Sequence, residues 1–418
     1  MKARTKALVA AVAVVAGSGG VAVATSTHAR ETVARTAGDS GTARPGLDPS
    51  RLQQRLDALH AAGMPGAISS VRNGEQEWNG AAGVADTRTG RPVAPGMGHR
   101  VGSITKTFTA TAVLLEAERG RIALDAPIGT YLPTLVPGAR GKQITVRMLL
   151  NHTSGIGDYL PYVFPSLGKP SPASLDAGRF RRLAPATLIA YGLKAPATGK
   201  PGGPQGVYSN TNYVILGELL RQVTGGSGED TITRTVINRV GLRNTHFPQT
   251  THLTGPHSRM YESLYSTANP PRDYSVYDMS WAGTAGALVS TTDDLNRFFR
   301  ALLSGRLIGK PMLAQMQKTI PLGKQPGAAT MQYGLGLLAM KSPCGTYWGH
   351  DGMVWGASAF SLTSPDTRRQ VSLALNLTKY GKLDGNGQPQ AHPIDPAQDA
   401  YMQEAVCGGT PSPSSSRR

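Results

Sequence analysis

Val101-Gly102-Ser103-Ile104-Thr105-Lys106 places a serine and a lysine three residues apart at the head of an apolar segment. A serine hydroxyl is a weak nucleophile and needs a base within hydrogen-bond reach. If a helix begins at Ser103, residues i and i+3 share a face, so Lys106 stands one turn behind Ser103. The positive end of the helix dipole then favours negative charge developing at Ser103. A lysine in a desolvated cleft has its pKa lowered and can act on the hydroxyl proton. The run from Thr105 to Glu118 reads as a long apolar helix closed near Gly120. Alone, Ser-x-x-Lys equally describes a surface serine that caps a helix. A second match, Ser166 to Lys169, is set among Pro165, Gly168 and Pro170, which forbid a helix.

Two further short patterns lie downstream. Tyr208-Ser209-Asn210 is the only Tyr-x-Asn, on a loop just ahead of a helix over Asn212 to Val223. A phenol near Lys106 can shuttle a proton to a leaving group, and Asn210 can hold a substrate amide with donor and acceptor together. His350-Asp351-Gly352 is the only His-x-Gly, ahead of a strand expected to start at Gly356. A backbone N–H on such a strand can face Ser103 and, with the N–H of Ser103, form an oxyanion hole. Taken singly, the first is also a turn with a capping Asn, and the second a hairpin turn with an incidental histidine.

Their conjunction in this order resembles the three-motif pattern of the serine β-lactamase and penicillin-binding superfamily. The likeness is to its class C branch, and most closely to the secreted D-alanyl-D-alanine carboxypeptidases. It spans about Leu52 to Cys407. It also includes Leu149-Leu150, His152-Thr153-Ser154-Gly155, Ser280-Trp281, Ala285-Gly286-Ala287, Asp294-Leu295, Tyr333-Gly334-Leu335-Gly336 and both cysteines. The resemblance implies that Ser103 is acylated and that Lys106 and Tyr208 form the acid/base pair, with His350 completing the third motif. Asn210 would hold the acyl side and Trp281 would wall the pocket. Asp351, Gly352 and Met353 would contact substrate, and the N–H groups of Ser103 and Met353 would line the oxyanion hole. No cofactor or metal is implied, and β-lactams are implied as acylating inhibitors.

The chain departs from the carboxypeptidases in one respect. They carry hydroxyl residues where Asp351 and Met353 stand, and an arginine where Leu338 aligns. A site for a terminal carboxylate has lost its cation and gained an anion, and two like charges a few ångströms apart repel. The departure bears on substrate. A peptidoglycan stem peptide ending in D-Ala-D-Ala, a small ester and a D-amino-acid amide all stay open. In the last case Asp351 would meet the substrate ammonium.

The rest of the chain supplies a frame. Leu52 to Ala62 has helical spacing; Gly66–Val71 and Trp78–Val84 read as strands about a turn at Asn73-Gly74. Thr291 and Asp294 stand in capping-box spacing before a helix to Leu303. Arg369 to Leu377 reads as a strand, and Asp395-Pro396 as the N-cap and first residue of a last helix. The expected fold is α/β of the α+β type: an antiparallel sheet formed from both chain ends, flanked by helices, with a mainly helical insertion at about 125–280.

Composition sets the compartment. The chain has 418 residues, enough for a large core. Lys2, Arg4 and Lys6 precede an apolar stretch from Ala7 to Ala24, with small residues at Ala22-Val23-Ala24 and a second candidate cleavage point at Ala29. Residues 1–24 therefore read as a secretory signal peptide and 25–49 as a disordered leader. Residues 50–407 form the hydrolase domain and 408–418 a loose tail. The expected product is secreted, with the cell wall as a place of association, without stable membrane insertion, and a monomer. Cys344 and Cys407 allow one intramolecular bridge, which export favours over two separate thiols. The net charge is +17, or +14 without Lys2, Arg4 and Lys6. It is dispersed, which suits an anionic wall or solubility and not nucleic-acid binding. The nine histidines are scattered with no His-Glu-x-x-His helix. No Gly-x-Ser-x-Gly elbow is present, so an α/β-hydrolase does not fit. A non-catalytic wall-binding relic would spare this fold without needing Ser103, Lys106, Tyr208 and His350 together.

Overall fold

A computed structural model of the protein describes residues 46–323 and 331–408. The expected signal peptide, the expected leader up to residue 45 and the expected tail after Gly408 lie outside the described residues. The first helix runs Pro49–Ala61, earlier than its apolar spacing suggested. Asp48 explains the start: its carboxylate accepts the Ser50 and Arg51 N–H groups, and Pro49 occupies the first turn, where no donor is needed.

Nine strands among the described residues form one sheet. Its antiparallel centre runs Gln76–Asp86, Gly66–Asn73, Arg369–Leu375, Ala357–Thr363, Gly345–Val354 and Leu338–Ser342. The amino-terminal hairpin thus docks on the carboxy-terminal one, with Ser70 opposite Ser372 and Val71 opposite Val371. Successive side chains point to opposite faces. On one face Val71, Leu373 and Leu375 pack with Leu52, Leu56, Leu59, Ile394 and Tyr401 of the two terminal helices. On the other, Ser70, Ser372 and Gln370 meet Asn296 of the helix Thr292–Leu303. Thr291 caps that helix by accepting the Asp294 N–H.

Two expectations need correction. His350-Asp351-Gly352 lies inside the strand Gly345–Val354 and not ahead of it. Gly352 is there because of a close approach: a Cβ would come 2.0 Å from the Val101 carbonyl oxygen. The last helix is Ile394–Cys407. Asp395 is inside its first turn and reaches back to accept the His392 N–H.

The central helix is Thr105–Glu118, buried from Thr105 to Glu116. Around it pack the helices Asn210–Thr224 and Thr292–Leu303 and the short turn Gly283–Gly286. Short helices dominate residues 138–240, including Pro185–Lys194. Among the described residues no helix is long and apolar enough to cross a membrane. Cys344 and Cys407 form a disulfide with their Cα atoms 5.6 Å apart.

Candidate active site

The nucleophile region is a tight junction. Gly102 has φ +52°, the left-handed region that glycine enters without a steric penalty. It opens a 3₁₀ turn over Gly102–Ile104, and the α-helix proper begins at Thr105, not at Ser103. Thr105 Oγ1 donates to the Gly102 carbonyl at 2.7 Å and accepts the Leu288 N–H, locking the turn. The turn lies hard against the strand that carries His350-Asp351-Gly352. A Cβ on Gly102 would come 2.6 Å from the Met353 nitrogen, and one on Gly352 would come 2.7 Å from the Ser103 nitrogen. The main chain around Ser103 and that around Met353 thus meet at one spot beside the Ser103 side chain.

Lys106 is fully buried. Its Nζ lies 3.1 Å from Ser103 Oγ and donates to Asn210 Oδ1 at 2.7 Å and to the Ala285 carbonyl at 2.7 Å. Burial pushes its pKa down to about 7, against the opposing pull of Asp158 and Asp351. A neutral amine has two N–H bonds and one lone pair. The two carbonyl oxygens can only accept, so they take both hydrogens. The lone pair is left for the Ser103 hydroxyl. Asn210 is held in the orientation this needs: its Nδ2 and its main-chain N–H both donate to Asp158 Oδ2 at 2.8 Å. Asp158 also accepts the Leu160 N–H, while burial raises its pKa.

Tyr208 lines the cleft beside Ser103, and the Ser103 hydroxyl is close enough to act on its phenol. Burial pushes its phenol well above 10, so it stays protonated as a neutral donor. The Lys106 ammonium position is 4.8 Å from the Tyr208 ring centroid. His350 is buried behind these groups, with Nε2 3.1 Å from Tyr333 Oη. Asp351 stays partly exposed, and its charge is felt at Lys106 and Tyr208.

A cleft of about 470 Å³ opens above Ser103, lined among others by Tyr159, Leu160, Asn210, Trp281, Met353 and Trp355. Trp281 and Trp355 stack at 5.2 Å, and Phe164 abuts both edge-on. Lys379 also lines the cleft, but its Nζ is paired with buried Glu262 at 2.8 Å and lies over the Trp355 ring. Leu338 is buried in an apolar patch with Tyr333, against which Tyr208 packs. Ser103, Tyr208, Asn210, Trp281 and Met353 therefore line one cleft, with Lys106 buried behind Ser103 and Asp351 outside the lining. His350 sits behind it, and Gly352 forms the strand's contact with the nucleophile turn. The Cys344–Cys407 bridge belongs to the terminal-helix layer. Sequence reasoning missed Asp158 and Trp355 and gave Tyr333 no role at the site. Asp158 had no spacing signal, whereas Trp355 stands three residues past His-x-Gly and Tyr333 opens the Tyr-Gly-Leu-Gly stretch.

The Beta-lactamase family model matches residues 51–391. The chain belongs to this family. A solved structure of a D-stereospecific amidohydrolase from a Streptomyces species superposes with a TM-score of 0.74 at 34% identity, covering 87% of this chain and 100% of that one. Penicillin-binding protein 4 of Amycolatopsis lactamdurans is 28% identical over 317 residues, 73% of this chain and 75% of that protein. Esterase EstB of Burkholderia gladioli is 33% identical over 220 residues, 48% of this chain and 53% of that protein. The protein is thus a hydrolase of the serine β-lactamase-family kind. Amidase, esterase and penicillin-binding relatives stand side by side around it.

Proposed function

We propose that the protein is a secreted serine hydrolase that forms an acyl-enzyme on Ser103 and cleaves amides of D-configured amino acids. The observation that carries the substrate class is the charge of the cleft. Lys106 is committed to Asn210, Ala285 and Ser103, and Lys379 is paired with Glu262. Asp351 adds an anion nearby, and Leu338, where the carboxypeptidases carry an arginine, is buried in an apolar cluster behind Tyr208 and supplies no cation. A terminal carboxylate finds no uncommitted cation among the described residues that line the cleft, whereas the negative charge of Asp351, felt at Lys106 and Tyr208, favours an ammonium. The aromatic wall of Trp281 and Trp355 suits a large apolar side chain. The similarity to the Streptomyces amidohydrolase over its whole length supports the same class.

In this reading Lys106 takes the proton of the Ser103 hydroxyl as Oγ attacks the amide carbon. The oxyanion is met by the N–H groups of Ser103 and Met353. Tyr208 protonates the leaving nitrogen and regains a proton from the Lys106 ammonium. Water then attacks the ester through the same groups in reverse, restoring Ser103. β-Lactams enter the first half of this sequence as strained amides. The Cys344–Cys407 disulfide supports an oxidising compartment and hence export.

A second reading, removal of terminal D-alanine from peptidoglycan stems, is supported by several relatives named as penicillin-binding proteins. A fluorescent penicillin or fluorophosphonate should add one adduct, on the peptide containing Ser103. Absence of label, or equal labelling of Ser103→Ala, would sink the mechanism. A panel of D-phenylalanine amide, its L-isomer, a peptide ending in D-Ala-D-Ala and a short-chain ester then chooses the substrate. The D-amide should be cleaved fastest; faster release of D-alanine from the peptide would replace the first reading by the second.

A further inference from the structure

His152 is a buried residue that the mechanism above does not use. Its φ is +63°, a left-handed conformation uncommon for a residue with a Cβ. From there it grips the chain on both sides of Tyr208. Its carbonyl accepts the Val207 N–H at 2.9 Å, and its Nδ1 accepts the Ser209 N–H at 3.2 Å. Its ring packs on the Tyr208 ring at 4.3 Å and on Tyr333 at 4.8 Å. Asn212 Nδ2 lies 3.1 Å from the same Nδ1, and Ser154 Oγ orients Asn212 by donating to its Oδ1.

A backbone N–H can only donate, so Nδ1 is the acceptor and the ring proton sits on Nε2. Nε2 has no hydrogen-bond partner among the described residues. We propose that His152 is a positioning residue that fixes the Tyr208 phenol over Lys106 and Ser103, and that it does so as a neutral imidazole. Burial, Lys106 and His350 all disfavour its protonation, and protonation would remove the acceptor that holds Ser209. By holding the Tyr208 ring, whose centroid lies 4.8 Å from Lys106 Nζ, His152 also keeps water from Lys106 through Tyr208; the other groups that act on Lys106 are Asp158, Asp351 and Tyr213.

This inference rests on the role proposed for Tyr208, and the test separates the two. His152→Asn tolerates the left-handed backbone and keeps an acceptor, but removes the ring face; His152→Gln serves if the first variant does not fold. In the otherwise wild-type enzyme, kcat on the preferred substrate should fall about 100-fold, with KM changed less than about twofold. In a Tyr208→Phe background the same substitution should cost less than about threefold, because its route of action is already gone. The acid limb of kcat/KM should move to higher pH as water reaches Lys106. An equal loss in both backgrounds, or an unmoved acid limb, overturns the positioning role alone. Full activity of Tyr208→Phe by itself overturns the reading of the site, and the inference with it.

Discussion

Lys106 sets the pH behaviour of the site. Only its neutral form has a lone pair for the Ser103 proton, so kcat/KM should rise with pH through about 7 and fall away below it. Asp351 holds the Lys106 pKa up, so Asp351→Asn should move that limb to lower pH. It should also raise D-alanine release from a D-Ala-D-Ala peptide relative to D-amide cleavage, by about tenfold if an anion is what excludes the carboxylate. An unchanged ratio would remove the charge argument. The same burial has a stability consequence. The folded protein gives up the Lys106 proton near 7 and the unfolded chain near 10.5. Between these values the unfolded state binds more protons, so stability rises with pH. Lys106→Met cannot titrate. Relative to that variant, wild type should gain at most about 5 kcal/mol from pH 7 to 10.5, read from urea unfolding at both ends.

The catalytic groups are held by contacts between elements that only glycine permits. Gly217 of the helix Asn210–Thr224 touches the turn Gly283–Gly286, whose Ala285 carbonyl anchors Lys106. A Cβ at Gly217 would come 2.3 Å from Thr284 Oγ1, which donates to the Tyr213 carbonyl. Gly217→Ala should therefore push the turn off Lys106 and lower kcat about 100-fold, at about 1–3 kcal/mol of stability. Unaltered kcat in a destabilised variant would show that the turn does not position the base. Gly102→Ala should be more severe for acylation, since it combines a positive φ with a clash at the Met353 nitrogen. These cases also show what was legible. Ser-x-x-Lys, Tyr-x-Asn and their helices could be read because the signals are local in sequence. His350-Asp351-Gly352 reads as lying ahead of its strand, and not inside it, because a glycine that admits another stretch of main chain looks the same in sequence as one that turns. Asp158 was invisible because its meaning comes from Asn210, fifty-two residues away.

At the scale of the whole molecule, the sheet is closed by the two ends of the chain. That could be read from alternating apolar runs at both ends. The polar seam of Ser70, Ser372 and Asn296 could not, because serine in a strand carries no sign of what covers it. The terminal-helix layer lies on the sheet face away from the central helix and its Ser103 cleft. It is fixed at its far end by Arg369, which donates to the Ala405 and Glu404 carbonyls, by Tyr347, which donates to Val406, and by the Cys344–Cys407 bridge. A bridge spanning 63 residues restricts the unfolded chain by about 4 kcal/mol in the loop-entropy description. Replacing both cysteines by serine, or reducing them, should therefore lower Tm by about 5–10 °C. Acylation of Ser103 by a fluorescent penicillin at 25 °C should proceed at the wild-type rate, because no group bonded to Ser103 or Lys106 comes from the bridged layer. Loss of acylation in a reduced protein that remains folded by circular dichroism would mean that the two faces of the sheet are coupled. The bridge would then be part of what shapes the cleft, and not only a clasp on the last helix.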